Sequence, residues 1–166
     1  MRAAAADGTV AQRWVRLFAA TPSGSWLLSR LMPQLDRAAL RLTGRRYTLT
    51  AIMTGLPVVV LTTTGSRTGN RRTASVLGFP IADGLAVVAG NFGRPSEPAW
   101  CVNLRSNPRA TLAQGNTSRA VIAHELVGER RDSAWQQCLS FYPAGAAYAK
   151  RAAPRVIAVF LLDPDS

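Results

Sequence analysis

At 166 residues, with 48% hydrophobic and 17% charged side chains, the chain can bury a single core without covalent staples, which excludes a wholly disordered protein. Its two cysteines, Cys101 and Cys138, stand far apart with no C-x-x-C spacing, which excludes a disulfide framework and a structural zinc finger and fits a reducing cytoplasm. The formal net charge of +11 rests almost wholly on arginine, since Lys150 is the only lysine.

In chain order, residues 9 to 20 place Val10, Trp14, Val15, Leu17 and Phe18 among Arg13 and Arg16, the spacing of a short amphipathic helix with a basic face. Arg2 and Arg13 flank Asp7, and no long apolar core precedes Trp14, so a secretory leader is not expected. A second helix, capped by Ser23 or Ser25, carries Trp26, Leu27, Leu28, Leu31, Met32 and Leu35, with Pro33 as a kink. Arg30, Arg37, Arg41, Arg45 and Arg46 load its other side and its exit. Two readings are open for residues 1 to 50: an extension lying on a membrane interface, or helices packing their apolar stripe on the core. No apolar run reaches the roughly 18 residues that span a bilayer.

From Leu56 the pattern changes to short strands over 56–64, 71–81, 85–90, 109–114, 118–127 and 155–162, with Asp83-Gly84 as a tight hairpin turn. Two helices interrupt them. The first begins near Ser96-Glu97-Pro98 and ends at Asn107-Pro108, with Trp100, Asn103 and Leu104 on its inward face. The second runs from about Arg130 to Phe141, and Tyr142-Pro143 and an alanine-rich segment to Tyr148 follow it. This irregular order predicts a mostly antiparallel α+β barrel over 51–166 rather than a doubly wound sheet.

The most informative stretch joins a β-branched strand to a basic turn: Leu61-Thr62-Thr63-Thr64-Gly65-Ser66-Arg67-Thr68-Gly69-Asn70-Arg71-Arg72. Gly65 and Gly69 permit positive φ, so that backbone N–H groups can converge, while Arg67, Arg71 and Arg72 supply forks that match phosphate or carboxylate oxygens. An anion site and an ordinary hairpin with solvated arginines are both consistent with the turn alone. The global charge has a bland source in GC-rich codon usage and functional ones in an anionic small molecule or an anionic membrane. Nucleic acid is not expected as a partner, since no helix-turn-helix, zinc finger or RNP-like motif accompanies the charge and aromatics make up only 7% of the chain.

No G-x-G-x-x-G, G-x-x-x-x-G-K-[ST] or G-x-S-x-G occurs, so the Rossmann, Walker and hydrolase-elbow chemistries lack support. His124, the only histidine, falls by alternation with Ile122 and Leu126 and is expected to be a packed strand residue. One histidine and two isolated cysteines assemble no metal site. Redox chemistry would therefore need an organic cofactor.

Three ordered blocks resemble the deazaflavin-dependent nitroreductase and quinone reductase family, split β-barrel proteins that use reduced coenzyme F420. They are Leu61 through Arg72; Pro98-Ala99-Trp100 to Asn103-Leu104 and Asn107-Pro108; and Tyr142-Pro143 to Tyr148 before a final apolar strand. The resemblance covers about Leu56 to Pro164. It implies that Arg67, Thr68, Gly69 and Arg72 hold the phosphodiester or glutamate tail, with Arg71 less secure because many relatives have proline there. It further implies that Ala89, Gly90 and Asn91 edge the deazaflavin ring and that Trp100 and Asn103 form another wall, with plain core as the lesser alternative for Trp100. Tyr142 and Tyr148 match tyrosines on the substrate side, where a phenol orients and protonates the acceptor; packing is their alternative role.

Four positions depart from well-known members: Gly90 and Asn91 replace serine and lysine, Phe92 replaces a glycine, and Gly145 stands where a further aromatic occurs. The expected activity is F420-dependent hydride transfer to a quinone, nitro or other electron-poor apolar acceptor, in the cytoplasm and at the inner face of the membrane where quinones dissolve. The alternatives are a non-catalytic F420 or lipid carrier, and a split barrel binding FMN or haem, with FMN the lesser cofactor expectation.

Overall fold

The computed structural model describes residues 56–165 together with Leu31, Gln34 and Leu35. The last three are helical and exposed; the other expectations for residues 1 to 50, including membrane contact, lie outside the described residues. Six strands follow in the order β1 (Val58–Thr64), β2 (Arg71–Ile81), β3 (Gly84–Val88), β4 (Arg109–Gln114), β5 (Thr117–Glu125) and β6 (Val159–Pro164). They close into a barrel, β1-β2-β3-β6-β5-β4, in which every neighbouring pair is antiparallel. The expected α+β antiparallel barrel is therefore present, with each strand within a few residues of its predicted place.

Three helices join the strands among the described residues, not two: α1 (Ala99–Ser106), α2 (Gly128–Phe141) and α3 (Ala144–Ala152). The third corrects the reading of residues 144 to 148 as a mere alanine-rich segment. Pro98 is the N-cap of α1 rather than its first helical residue. The hairpin near Asp83 turns through Ala82 and Asp83, since Gly84 already pairs with Ile81.

Alternation along the strands separates two cores. Val59, Leu61, Val87, Leu112, Val121, Phe160 and Leu162 fill the barrel, which α1 plugs with Trp100, Cys101 and Leu104. On the outer side Phe79, Ile81, Ala86, Val159 and Leu161 are covered by Trp135 and Cys138 of α2 and Tyr148 and Ala152 of α3. β6 belongs to both, which is why its first four residues are all buried with no polar alternation. Burying a side chain the size of Phe160 contributes about 2 to 3 kcal/mol. His124 is a correction: its side chain is 55% exposed and stands 3.5 Å from Asp163, while Val121 and Ala123 point inward.

The register puts the end of β1, the starts of β2 and β4, the ends of β3 and β5 and the start of β6 at one mouth of the barrel. The β1–β2 turn, the segment after β3 and the start of α1 therefore belong to the same end. The β2–β3 and β4–β5 turns close the other end.

Candidate functional site

One side of this mouth is the arginine turn. Thr63 pairs with Arg72 and Thr64 with Arg71, and directly opposed residues of an antiparallel pair share a face. Thr63 is buried, so Arg72 belongs to the inner, mouth-facing side, whereas Arg71 shares the outer face with Thr111, whose hydroxyl its Nη2 reaches at 3.5 Å. Arg67, Arg71 and Arg72 are exposed, and none pairs with a carboxylate among the described residues.

The backbone of the turn corrects one expectation. Gly69 has φ of 67° as anticipated, but Gly65 does not adopt positive φ. A Cβ on Gly65 would lie 3.1 Å from both Asn70 O and Thr68 Oγ1, so this glycine serves close approach. The N–H groups are also committed. Gly65 N–H donates to Asn70 O, Thr68 and Gly69 N–H to Gly65 O, and Asn70 N–H to Thr68 Oγ1. What the turn presents outward is therefore its guanidinium groups rather than a convergent set of backbone donors.

Asn103 explains how the turn is fixed. It sits on the inward face of α1, 6% exposed, and its Nδ2 donates to Thr63 Oγ1 at 2.9 Å while its Oδ1 accepts from Ser66 N–H at 3.0 Å. One buried amide thereby ties α1 to the end of β1 and to the second residue of the loop. Trp100, one turn earlier, is 7% exposed and packs edge-on against Phe160 at 5.6 Å, so it is part of the barrel core. Arg105 anchors the far end of α1 through Glu97 and Glu125, each at 2.6 Å, and these two carboxylates raise its already high pKa.

The other side is built by the segment after β3 and by α3. Ala89 lies in the barrel core and its N–H donates to Ala158 O at 2.9 Å. Asn91, Phe92 and Gly93 then have φ of 44°, 55° and 75°, a left-handed turn of three consecutive residues. Only glycine adopts that region freely, and each strained residue costs on the order of 1 kcal/mol. Asn91 Nδ2 donates to Ser96 O at 2.8 Å, and Arg151 Nη2 to Phe92 O at 3.4 Å. Arg155 donates to Ala89 O at 2.9 Å, to Gly90 O at 3.4 Å and to Arg94 O at 2.8 Å.

Tyr148 stands at the centre of this side. Its hydroxyl is 3.0 Å from that of Tyr142, its ring is 6.1 Å from Phe92, and the Arg151 guanidinium lies 5.1 Å from its centroid. Gly90 borders it, since a Cβ there would meet Tyr148 Cδ2 at 3.5 Å. Gly145 now has a physical reason: a Cβ would stand 3.0 Å from Leu139 Cδ2 and 3.2 Å from Trp135 Cη2, so a small residue lets α3 approach α2. Of the residues singled out in sequence, Arg67, Thr68, Gly69 and Arg72 belong to the β1–β2 turn, which Asn103 fixes, and Trp100 lies in the barrel core; Ala89, Gly90 and Asn91 leave the same end after β3, and Tyr148, bonded to Tyr142, borders Gly90. Arg151 and Arg155 were missed. Nothing local marks them, because their backbone partners lie 59 to 66 residues earlier.

Comparison with known proteins agrees with this geometry. The profile of the F420H(2)-dependent quinone reductases matches residues 31–164. An F420H(2)-dependent quinone reductase of Mycobacterium tuberculosis is 33% identical over 82 residues, 48% of this chain and 55% of that protein. The chain thus spans about half the length of the curated relatives it matches. A solved F420-H2 dependent reductase (FDR-A) superposes with a TM-score of 0.57 at 32% identity, covering 64% of this chain and 94% of that one. A second structure, described as a domain-swapped dimer, gives a TM-score of 0.58 at 28% identity over 79% and 98%. With the arginine turn, the plugged barrel and the tyrosine pair all inside the matched span, the chain belongs to the F420H(2)-dependent quinone reductase family, oxidoreductases whose name carries their coenzyme.

Proposed function

We propose that this chain is an F420-dependent reductase that delivers hydride to a quinone-like acceptor. The observations that support the reading are exposed arginines without carboxylate partners among the described residues in the β1–β2 turn, and a hydrogen-bonded tyrosine pair that borders Gly90 in the segment after β3, which leaves the same end of the barrel. The residues present fit the coenzyme. Its tail is polyanionic, and Arg67 and Arg72 are cations with no carboxylate partner among the described residues. Thr68 and Gly69 shape the turn beside them, and Asn103 fixes the turn on α1. Ala89, Gly90 and Asn91 would edge the ring, with Trp100 stiffening the floor beneath.

Reduced deazaflavin, when bound, supplies the hydride. Binding energy from the arginines on the remote tail positions the reacting end, and alignment is the main contribution asked of the protein. Quinone reduction also needs a proton on oxygen. The Tyr142 and Tyr148 hydroxyls stand 3.0 Å apart, and a phenol of this pair would orient an acceptor carbonyl and polarise it.

Steady-state oxidation of the reduced coenzyme with a menaquinone analogue tests this. The wild type should turn over, and Tyr148→Phe and Tyr142→Phe should lower kcat by about 10- to 100-fold with a smaller change in KM. Coenzyme binding without turnover would replace the enzyme with a carrier. Turnover that survives both substitutions within about twofold would assign the tyrosines to packing.

A further inference from the structure

We propose that Arg155 is a positioning residue whose guanidinium staples the two ends of the left-handed turn Asn91–Gly93, and that this staple sets the ring-side wall of the coenzyme site. The second clause rests on the function proposed above; the first does not. The left-handed turn has two non-glycine residues, Asn91 and Phe92, in a region that excludes most side chains, and it is continued by Gly93. Something outside the turn must keep it there.

Arg155 is placed to do so. Its Nη1 and Nη2 donate to Ala89 O and Gly90 O, the two residues before the turn, and Nη2 also donates to Arg94 O, the residue after it. A planar fork that addresses carbonyls on both sides of a three-residue turn closes it like a clasp, which an ammonium point charge matches poorly. Nε is buried without a partner among the described residues. Arg155 is therefore not placed to satisfy all its own donors, and the carbonyls of the 89–94 segment are what it serves. Within the turn, Gly93 N–H donates to Gly90 O at 2.8 Å and Arg94 N–H to Asn91 O at 3.0 Å, so these two amides report whether the turn is closed. Gly93 is tightly enclosed as well, since a Cβ there would lie 3.0 Å from Tyr148 O and from Arg151 Cβ. The turn thus transmits the position of Gly90 and Asn91 relative to Tyr148.

The test compares the full-length wild type with Arg155→Met, Arg155→Lys and Arg72→Ala. Amide hydrogen exchange is followed in ligand-free protein, and each protein is titrated with oxidised coenzyme F420. Arg155→Met should speed exchange of the Gly93 and Arg94 amides at least about tenfold while strand amides of β1 and β4 keep their protection. It should also weaken coenzyme binding about tenfold, with Arg155→Lys between it and the wild type. Arg72→Ala should weaken binding and leave the two reporter amides unchanged. If Arg155→Met does not fold, the lysine variant carries the comparison. Unchanged exchange at Gly93 and Arg94 overturns the staple. Faster exchange with undiminished affinity, where Arg72→Ala does lose affinity, overturns the positioning role. Failure of the wild type to bind coenzyme overturns the proposed function and the positioning clause with it, and the exchange measurement still decides the staple.

Discussion

The two sides of the barrel mouth use the same side chain in opposite ways. In the β1–β2 turn, Arg67, Arg71 and Arg72 face solvent with no carboxylate partner among the described residues. On the α3 side, Arg151 and Arg155 are spent on backbone carbonyls, and Arg131 holds Ile157 O at 2.8 Å. Only the first group is fully exposed to a ligand. The net charge of +11 is therefore a poor guide to binding capacity, because part of it is structural.

The supports differ too. The arginine turn hangs on one buried amide, Asn103, on the helix that plugs the inner core, whereas the aromatic side rests on the outer core beneath α2 and α3. If that division is correct, a change at Asn103 should disable one side alone. Asn103→Leu keeps the size and removes both bonds, leaving Thr63 Oγ1 buried without its donor. It should cost about 2 kcal/mol in urea unfolding and, by loosening the turn, weaken coenzyme binding at least about tenfold. The Gly93 and Arg94 amides should exchange as in the wild type. Accelerated exchange there would show the two sides to be one cooperative unit.

A smaller effect separates the cores by pH. Burial pushes the Cys138 thiol of the outer core up from 9.0 to about 12, and burial likewise raises Cys101 in the inner core. The folded state then binds a proton that the unfolded chain has released, so each thiol's contribution is intact below pH 9 and is lost as pH rises toward 12. Chemical denaturation between pH 8 and 11 should show stability falling by up to about 1 kcal/mol per unit for one thiol, and Cys138→Ala should flatten that slope. An unchanged slope in the variant would mean that the outer core admits water.

Most of the barrel was legible in sequence because half-buried strands alternate and their turns are punctuated. Val58 to Thr64 and Arg109 to Gln114 both alternate by exposure, and Gly115, with φ of 58°, marks the β4–β5 hairpin. Trp100, Asn103 and Leu104 were legible as one helical face. α3 was not, because Pro143 and Gly145 read as breakers; here Pro143 caps the helix and Gly145 allows its close packing on Trp135. His124 misled because the outer face of β5 is only partly covered: Leu126 joins the outer core, whereas His124, on the same side and opposite Leu161, remains exposed. The convergent N–H nest failed for a similar reason: glycine permits a conformation without selecting it, and the carbonyls of Gly65 and Asn70 had already claimed the donors. Arg155 left no sequence signal, since its role depends on carbonyls 61 to 66 residues away.

The most direct test of the central claim is a fluorescence titration with oxidised coenzyme F420, beside FMN, in the wild type and in Arg72→Ala at low and high salt. The free-arginine turn predicts binding of the deazaflavin over FMN, weakened about tenfold or more by Arg72→Ala and eroded by salt in the wild type more than in the variant. Equal affinity in the two proteins at every salt concentration, or preference for FMN, would contradict it.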